Sequence, residues 1–325
     1  MKRIIILLMI CCIFVSGCGK YSEKNIIKDF NKKISNGYKL SGELDVLNND
    51  EVYHYNVSVS HIDDYYKVTL VNQANNHKQV ILKNDDGVYV LTPSLNKSFR
   101  FQSDWPYNNS QIYLLDRIYS DIEKDNKREF KKNNNYIITT SVNYPNNNKL
   151  KKQKIIFDKK LKVKKISVFD KDGIEAMTFS IDSIKYSPKI NKDEFKIDNI
   201  IKGDNKEVKE TSSIDDVIYP LVLPSGTKLV GEEKISKDNG ERIIMSYDGE
   251  KSFLLVEETT DVFNDFTIIP TSGEPYQLMD TLGVMTTNSL SWTSDGIDYY
   301  IVSDVMSQDE MIEVAQSING TISMK

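Results

Sequence analysis

The chain is poor in cysteine and histidine: its 325 residues hold three of each. Cys11, Cys12 and Cys18 all fall within the first eighteen positions. Beyond them there is no thiol, which excludes cysteine catalysis, thiolate metal sites and disulfides from the rest of the chain. His54, His61 and His77 stand in no recognisable motif. His54 and His61 are an odd number of residues apart, so a regular strand sends them to opposite faces. A shared metal site is not expected, all three histidines are expected at the surface or rim, and a Ser-His-Asp hydrolase has little support. The acid pairs Asp63-Asp64, Asp85-Asp86 and Asp215-Asp216 are chain neighbours. Neighbours point apart on a strand and are solvated in turns, so these do not read as paired catalytic carboxylates. No Gly-rich phosphate loop is present. Positive charge is not in excess either: the formal net charge is -5, and such a field attracts neither nucleic acid nor anionic lipid. The Lys-rich stretches Lys149–Lys154 and Lys159–Lys165 are outweighed by acids elsewhere. No catalytic residue, metal ligand or diffusible cofactor is expected.

Long apolar runs are also scarce. The one that stands out, Ile4 to Val15, follows Lys2 and Arg3 and has twelve residues. A transmembrane helix needs about 20, so the run reads as the core of a secretion signal. It ends in Val15-Ser16-Gly17-Cys18, which looks like a lipobox, the site at which a signal peptidase cuts before a lipidated cysteine. Residues 1–17 are therefore expected to be a lipoprotein signal peptide. Cys18 is expected to carry a covalent diacylglyceryl group and a further palmitate-type chain, two chains being enough for stable anchoring. The expected location is the extracytoplasmic face of the cell membrane, held by lipid.

What remains has ordinary globular composition, 39% apolar and 27% charged. A helix is expected within 19–36, with Ser22 as its cap and Ile26, Ile27, Phe30 and Ile34 at helical spacing. Asn36-Gly37 ends it. Alternating stretches then follow at Tyr38–Leu47, Val52–His61, Tyr65–Val71, Lys78–Lys83 and Gly87–Leu91. Leu40, Gly42, Leu44 and Val46 share one face, as do Tyr53, Tyr55, Val57 and Val59. Thr92 to Tyr107 breaks the pattern and is rich in aromatics, and a helix is expected over Ser110–Lys124. Strands resume at Asn135–Val142, Lys152–Phe157, Val163–Phe169 and Ala176–Tyr186. Such runs with frequent turn signals predict a large antiparallel sheet. Residues 18–200 form this unit, the polar stretch 201–213 reads as a linker, and 214–325 form a second, smaller α+β domain. That domain is expected to hold strands at Arg242–Tyr247, Ser252–Glu257 and Tyr299–Ser303, and a Gly/Pro-rich loop at Pro270–Pro275. It ends in a helix opened by a Ser307/Glu310 capping box and closed by Asn319-Gly320.

The order of lipobox, helix, five strands, aromatic loop, helix and further strands is that of LolA-like proteins. Gly87-Val-Tyr-Val-Leu-Thr-Pro93, Phe99-Arg-Phe-Gln-Ser-Asp-Trp-Pro106 and Tyr113-Leu-Leu115 resemble the LolA-like sporulation lipoproteins of Gram-positive spore formers, the YdcC-like family. GerS, a germination lipoprotein, is a shorter relative with the same half-barrel. Trp292-Thr-Ser-Asp-Gly296-Ile-Asp-Tyr299 and Glu310–Ile318 resemble a small C-terminal domain of unknown function found on such lipoproteins. The resemblance implies an α+β fold in which a curved antiparallel sheet, a half-barrel, wraps around helices. In LolA the concave face holds acyl chains; in GerS-type proteins the sheet serves a cortex-processing amidase.

A curved sheet covered by helices leaves an apolar cavity wherever the two do not meet. Phe99, Phe101, Trp105 and Tyr107 of the aromatic loop, with Ile112, Leu115 and Ile118 of the helix, are the candidate groove residues. The plainer reading is a plug that fills its own core. Three functions compete. The first is a binding module of sporulation or germination that holds an acyl lipid, a lipoprotein or a partner such as a cell-wall enzyme. It predicts a lined groove. The second is a structural or regulatory envelope lipoprotein, like the sigma-factor regulators with similar sheets, which predicts an exposed apolar face. The third is a cell-wall or lipid hydrolase, which predicts a cleft with perturbed acids or histidines.

Overall fold

The computed structural model describes residues 22–48, 51–106, 109–202, 214, 216–238, 240–263, 265–278 and 281–318. Helix α1 (Glu23–Ile34) opens at Ser22, whose side chain accepts the Asn25 N–H, and buries Ile26, Phe30 and Ile34 along one stripe. Gly37 turns the chain into β1 (Tyr38–Asn48) at φ +83°. A Cβ there would lie 2.5 Å from the His61 carbonyl oxygen, so the turn requires glycine.

From β1 the chain builds a sheet by hairpins: β2 (Glu51–Ile62), β3 (Tyr65–Asn72), β4 (Lys78–Asn84), β5 (Gly87–Thr92) and β6 (Lys97–Phe101). Helix α2 (Leu115–Lys124) follows, then β7 (Glu129–Lys132), β8 (Tyr136–Ser141), β9 (Leu150–Phe157), β10 (Val163–Asp170) and β11 (Glu175–Tyr186). β11 returns to pair with β1, joining the two halves into one sheet. The register shifts at Ser41/Gly42, where a Cβ on Gly42 would lie 2.1 Å from the Ser180 oxygen.

The concave face is apolar because the strands alternate. Leu40, Leu44 and Val46 of β1 meet Tyr55, Val57 and Val59 of β2, and α1 and α2 lie on this face. Phe30 packs edge-on to Phe157, centroids 5.0 Å apart. The opposite face is covered only at β3–β5. There the turn Lys192–Phe195 and helix α3 (Ile197–Lys202) place Phe195 and Ile200 on Tyr65, Val80, Leu82, Tyr89 and Leu91.

The second unit is a seven-stranded antiparallel sheet. Its strands are β12 (Lys228–Lys237), β13 (Gly240–Asp248), β14 (Phe253–Thr259), β16 (Glu274–Gln277), β17 (Leu282–Met285), β18 (Ser289–Ser294) and β19 (Ile297–Val302), in the order β12-β13-β14-β19-β18-β17-β16. Helix α4 (Gln308–Ile318) covers its inner face, burying Met311, Ile312, Ala315 and Ile318 in a core with Met245, Leu255, Trp292 and Tyr299. The capping box forms: the Ser307 N–H donates to the Glu310 carboxylate at 2.7 Å and the Glu310 N–H to Ser307 Oγ at 3.3 Å. Asn319-Gly320 lies outside the described residues. No described helix is long and apolar enough to cross a membrane.

In chain order the two sheets divide between β11 and β12, with one exchange; residues 203–213 of the expected linker lie outside the described residues. β15 (Thr267–Thr271) comes from the second unit but pairs parallel to β6 and forms the edge of the first sheet, which has twelve strands. The stretch expected to be a Gly/Pro-rich loop is thus two strands, β15 and β16. Pro270 is tolerated because an edge strand can spare an N–H. Polar clamps reinforce the exchange. Gln79 Oε1 accepts the Leu282 N–H at 2.6 Å and the Thr281 hydroxyl at 3.1 Å. Lys97 of β6 pairs with Asp298 of β19 at 3.1 Å, both side chains under 10% exposed. Asn96 Nδ2 donates to the Phe263 carbonyl at 2.8 Å.

Candidate binding site

The candidate groove residues occupy different places. Phe101, Trp105, Ile112, Leu115 and Ile118 are buried at 3% exposure or less within the first core. Trp105 meets Tyr66 edge-on at 6.1 Å. Phe99 is only partly buried. It faces the second unit across a cleft of about 20 Å³ shared with Trp292 and Tyr300, with Lys97 Nζ 5.0 Å from its ring centre. Tyr107 and Cys18 lie outside the described residues.

Two polar networks lock α2 in the concavity. Asp116, in its first turn, accepts from the Tyr38 hydroxyl at 2.9 Å, the Tyr66 hydroxyl at 2.8 Å and Arg117 Nε at 2.8 Å. The Tyr38 oxygen in turn accepts the Leu115 N–H at 2.9 Å, serving a donor that the helix start leaves open. Burial and the Asp116 charge push both phenols above their ordinary pKa, so they stay protonated and keep donating. His61 is the exception to the expected histidine placement. It is buried, stacked on Tyr66 at 4.3 Å, and burial lowers its pKa. The reason is phase: residue 61 continues the inward face of Tyr55, Val57 and Val59, so the alternation of β2 carries the ring inside. His54 is exposed, paired with Asp45 at 2.6 Å.

The second network holds the helix's other end. Asp121 accepts from Ser110 Oγ at 2.7 Å and Gln153 Nε2 at 2.8 Å, and burial raises its pKa to about 6. Ser110 Oγ also accepts the Asn143 N–H. With Ser110 committed to this network, residues 110–114 form turns and the helix starts at Leu115, five residues later than the spacing predicts.

Besides two open surface hollows of about 390 and 550 Å³, one beside Glu194 and one beside Lys160, a more enclosed space lies at the seam between the units. A cavity of about 100 Å³ is bounded by Val46, Ile81 and Met177 of the first sheet, Tyr113 and Tyr144 of its loops, and Tyr276 and Gln277 of β16. Gln277 Nε2 donates to the Leu278 carbonyl at 2.9 Å and lies 3.2 Å from the Tyr55 hydroxyl, which fixes the amide's orientation. Among the described residues its Oε1 is buried without a partner, and the Tyr144 hydroxyl has no acceptor for its proton. The Ile112 N–H lies toward the Tyr144 oxygen. Tyr144 and Gln277 are residues the sequence did not single out. The available signal was an aromatic residue next to proline in two polar stretches, Tyr144-Pro145 and Pro275-Tyr276.

Among the described residues no cluster of three His, Cys, Asp or Glu side chains could hold a metal. A further buried acid, Glu257 of β14, accepts only the Ile218 N–H, 3.2 Å from either oxygen. Burial raises its pKa to about 7. It faces the chain strap 216–224 rather than the seam cavity.

No family model matches the chain. Among solved structures it is similar to MucB in its complex with MucA of Pseudomonas aeruginosa, with 12% identity, 90% of this chain and 97% of that chain covered, and a TM-score of 0.31. A LolA superfamily protein of Nitrosomonas europaea shows 12% identity, 54% and 98% coverage, and a TM-score of 0.33. Scores this low leave the architecture to be described from this chain alone. Sequence similarity is far stronger. The chain is 36% identical over 329 residues to the sporulation protein YdcC of Bacillus subtilis (strain 168), spanning 98% of this chain and 97% of that protein. By that similarity along its whole length, the chain belongs to the family of the sporulation protein YdcC.

Proposed function

We propose that this chain is a non-catalytic, lipid-anchored envelope protein that acts in sporulation by holding a protein partner on an exposed sheet face. The observation that carries this reading is where apolar surface is closed and where it is open. The concave face is filled by α1, α2 and Trp105, and the seam cavity of about 100 Å³ is below the roughly 300–1,000 Å³ of ordinary ligand pockets. That speaks against an acyl cargo. The outer face of the second sheet, by contrast, presents Ile244, Leu254, Val256 and Val302 on neighbouring strands, beside the cleft that Tyr300 shares with Phe99. Leu254, Tyr300 and Val302 are 36–44% exposed. A contiguous apolar face of this kind marks an interaction surface, and its flatness suits a protein. The sporulation role is proposed from the YdcC relationship, and the anchor from the Cys18 motif.

Three measurements test this reading. Native mass spectrometry of residues 20–325 purified from sporulating cells should show no bound acyl lipid; a stoichiometric lipid would restore the acyl-carrier reading. Crosslinking from Leu254 and Val302 positions in sporulating cells should capture one discrete protein, lost with Leu254→Lys. Capture at equal level by the variant overturns the proposed face. Radiolabelled palmitate should enter the wild-type chain and not Cys18→Ala.

A further inference from the structure

The seam cavity has a chemistry of its own. Its walls are mixed: Val46, Ile81, Leu150, Met177 and Leu282 are apolar, and Asn109, Gln111, Asn147 and Gln316 are polar. Among the described residues, two buried polar atoms on it have no partner: the Tyr144 hydroxyl and Gln277 Oε1. An unsatisfied buried polar group costs about 1–3 kcal/mol, and in native proteins such a group calls for an explanation. The Gln277 amide cannot turn to relieve its oxygen, because its NH2 group already serves the Leu278 carbonyl. Burial raises the Tyr144 pKa well above the ordinary value, so its proton stays available for donation. One wall therefore offers a donor and another an acceptor.

We propose that this cavity is a binding site for a neutral hydroxyl group on a short apolar stem, the hydroxyl donating to Gln277 Oε1 and accepting from Tyr144. Other occupants fit worse. The end of an acyl chain would fill the apolar part and leave both polar atoms unpaired. A carboxylate would meet Gln277 Oε1 and the Glu274 side chain of the same wall with like charge or lone pairs. An ammonium would satisfy Gln277 but give the Tyr144 proton no acceptor. Water alone needs only about 10–15 Å³ of such space per molecule, so two bridging waters leave most of the roughly 100 Å³ against apolar walls. This site lies on different residues from the outer face of the second sheet and stands or falls separately from it.

Ligand-observed NMR titration of residues 20–325 with p-cresol, 1-pentanol and toluene tests the proposal. The expected result is that p-cresol or 1-pentanol binds at least tenfold more tightly than toluene, which has the stem without the hydroxyl. Whichever of the two binds more tightly shows whether the stem is a ring or a chain. Tyr144→Phe and Gln277→Leu should each weaken the hydroxyl probe about tenfold and leave toluene unchanged, and circular dichroism melting identifies any variant that fails to fold. Toluene binding as tightly as both p-cresol and 1-pentanol would overturn the proposal. So would a high-resolution crystal structure grown with p-cresol that shows only ordered waters on Tyr144 and Gln277.

Discussion

The concave face of the first sheet and the outer face of the second are both built of alternating strands, yet one is closed and the other open. The first has two helices of its own chain, and α2 is held at both ends by carboxylates, Asp116 and Asp121, that take hydrogen bonds from tyrosine, serine and glutamine side chains. The second sheet has one helix, α4, which covers its inner face. Nothing among the described residues covers Leu254 and Val302. An amphipathic element is stable only when its apolar side is buried, so the closed face accounts for folding and the open one is left for another molecule. The seam between them is closed mainly by polar clamps. It should respond to mutation more like a core than like a surface.

The largest effect is expected at the seam. Lys97→Met leaves Asp298 charged and buried without its partner, which costs about 3–5 kcal/mol. Adding Asp298→Leu should recover most of that loss, because replacing both partners removes the stranded charge. Urea unfolding of the two variants measures this. If Lys97→Met loses less than 1 kcal/mol, the seam is solvated and the contrast drawn above fails. Next comes the closed face. Leu115→Ala and Ile118→Ala should each cost about 2–5 kcal/mol by emptying a packed core. A smaller loss, with new lipid binding, would show that α2 can lift away and that the concavity is a groove after all.

Buried acids make a third contrast. Asp121 and Glu257 have folded pKa values raised from 3.8 to about 6 and from 4.5 to about 7. In both, the folded state holds a proton that the unfolded state has released, so stability falls as pH rises between about pH 4 and 7. Each group contributes a slope of at most about 1.4 kcal/mol per pH unit. Glu257→Gln keeps an acceptor for the Ile218 N–H and removes the titration. Its stability advantage over wild type should grow from pH 5 to pH 8. A pH-independent difference would mean that water reaches Glu257.

Where one face is buried, the fold was legible from alternation. β1 to β5 and β8 to β11 start and end within two residues of their expected bounds. Where burial is absent on both faces, the period carries no signal. β12, Lys-Leu-Val-Gly-Glu-Glu-Lys-Ile-Ser-Lys, is exposed along nearly its whole length and was not foreseen. β7 has four residues and β15 contains a proline, both of which read as loop. His61 was misplaced although its phase with Tyr55, Val57 and Val59 was visible, because its polar type was given more weight than its position. The aromatic segment around Trp105 was correctly seen as unusual, but its burial depends on α2, on the far side of a turn. The seam cavity was out of reach: Tyr144 and Gln277 are 133 residues apart, and they line one cavity only because the two sheets meet there, which no local pattern encodes.

The smallest expected change in stability separates the two faces most sharply. Leu254→Ser and Val302→Ser sit directly opposite each other on β14 and β19, on the open side. Being 44% and 42% exposed, they have less burial to lose than a core residue, so each should cost no more than about 1 kcal/mol of unfolding free energy. The same substitutions at Leu255 and Ile301, the buried pair one residue along the same two strands, should cost several times more, since they place a hydroxyl in the α4 core. If the open pair proves as costly as the buried pair, something in the full chain covers that face and it is a second core. If the open pair is silent in urea but sporulation falls when both are serine, the face is used and not merely tolerated. In that case the loss must come from a molecule the sheet meets outside its own fold.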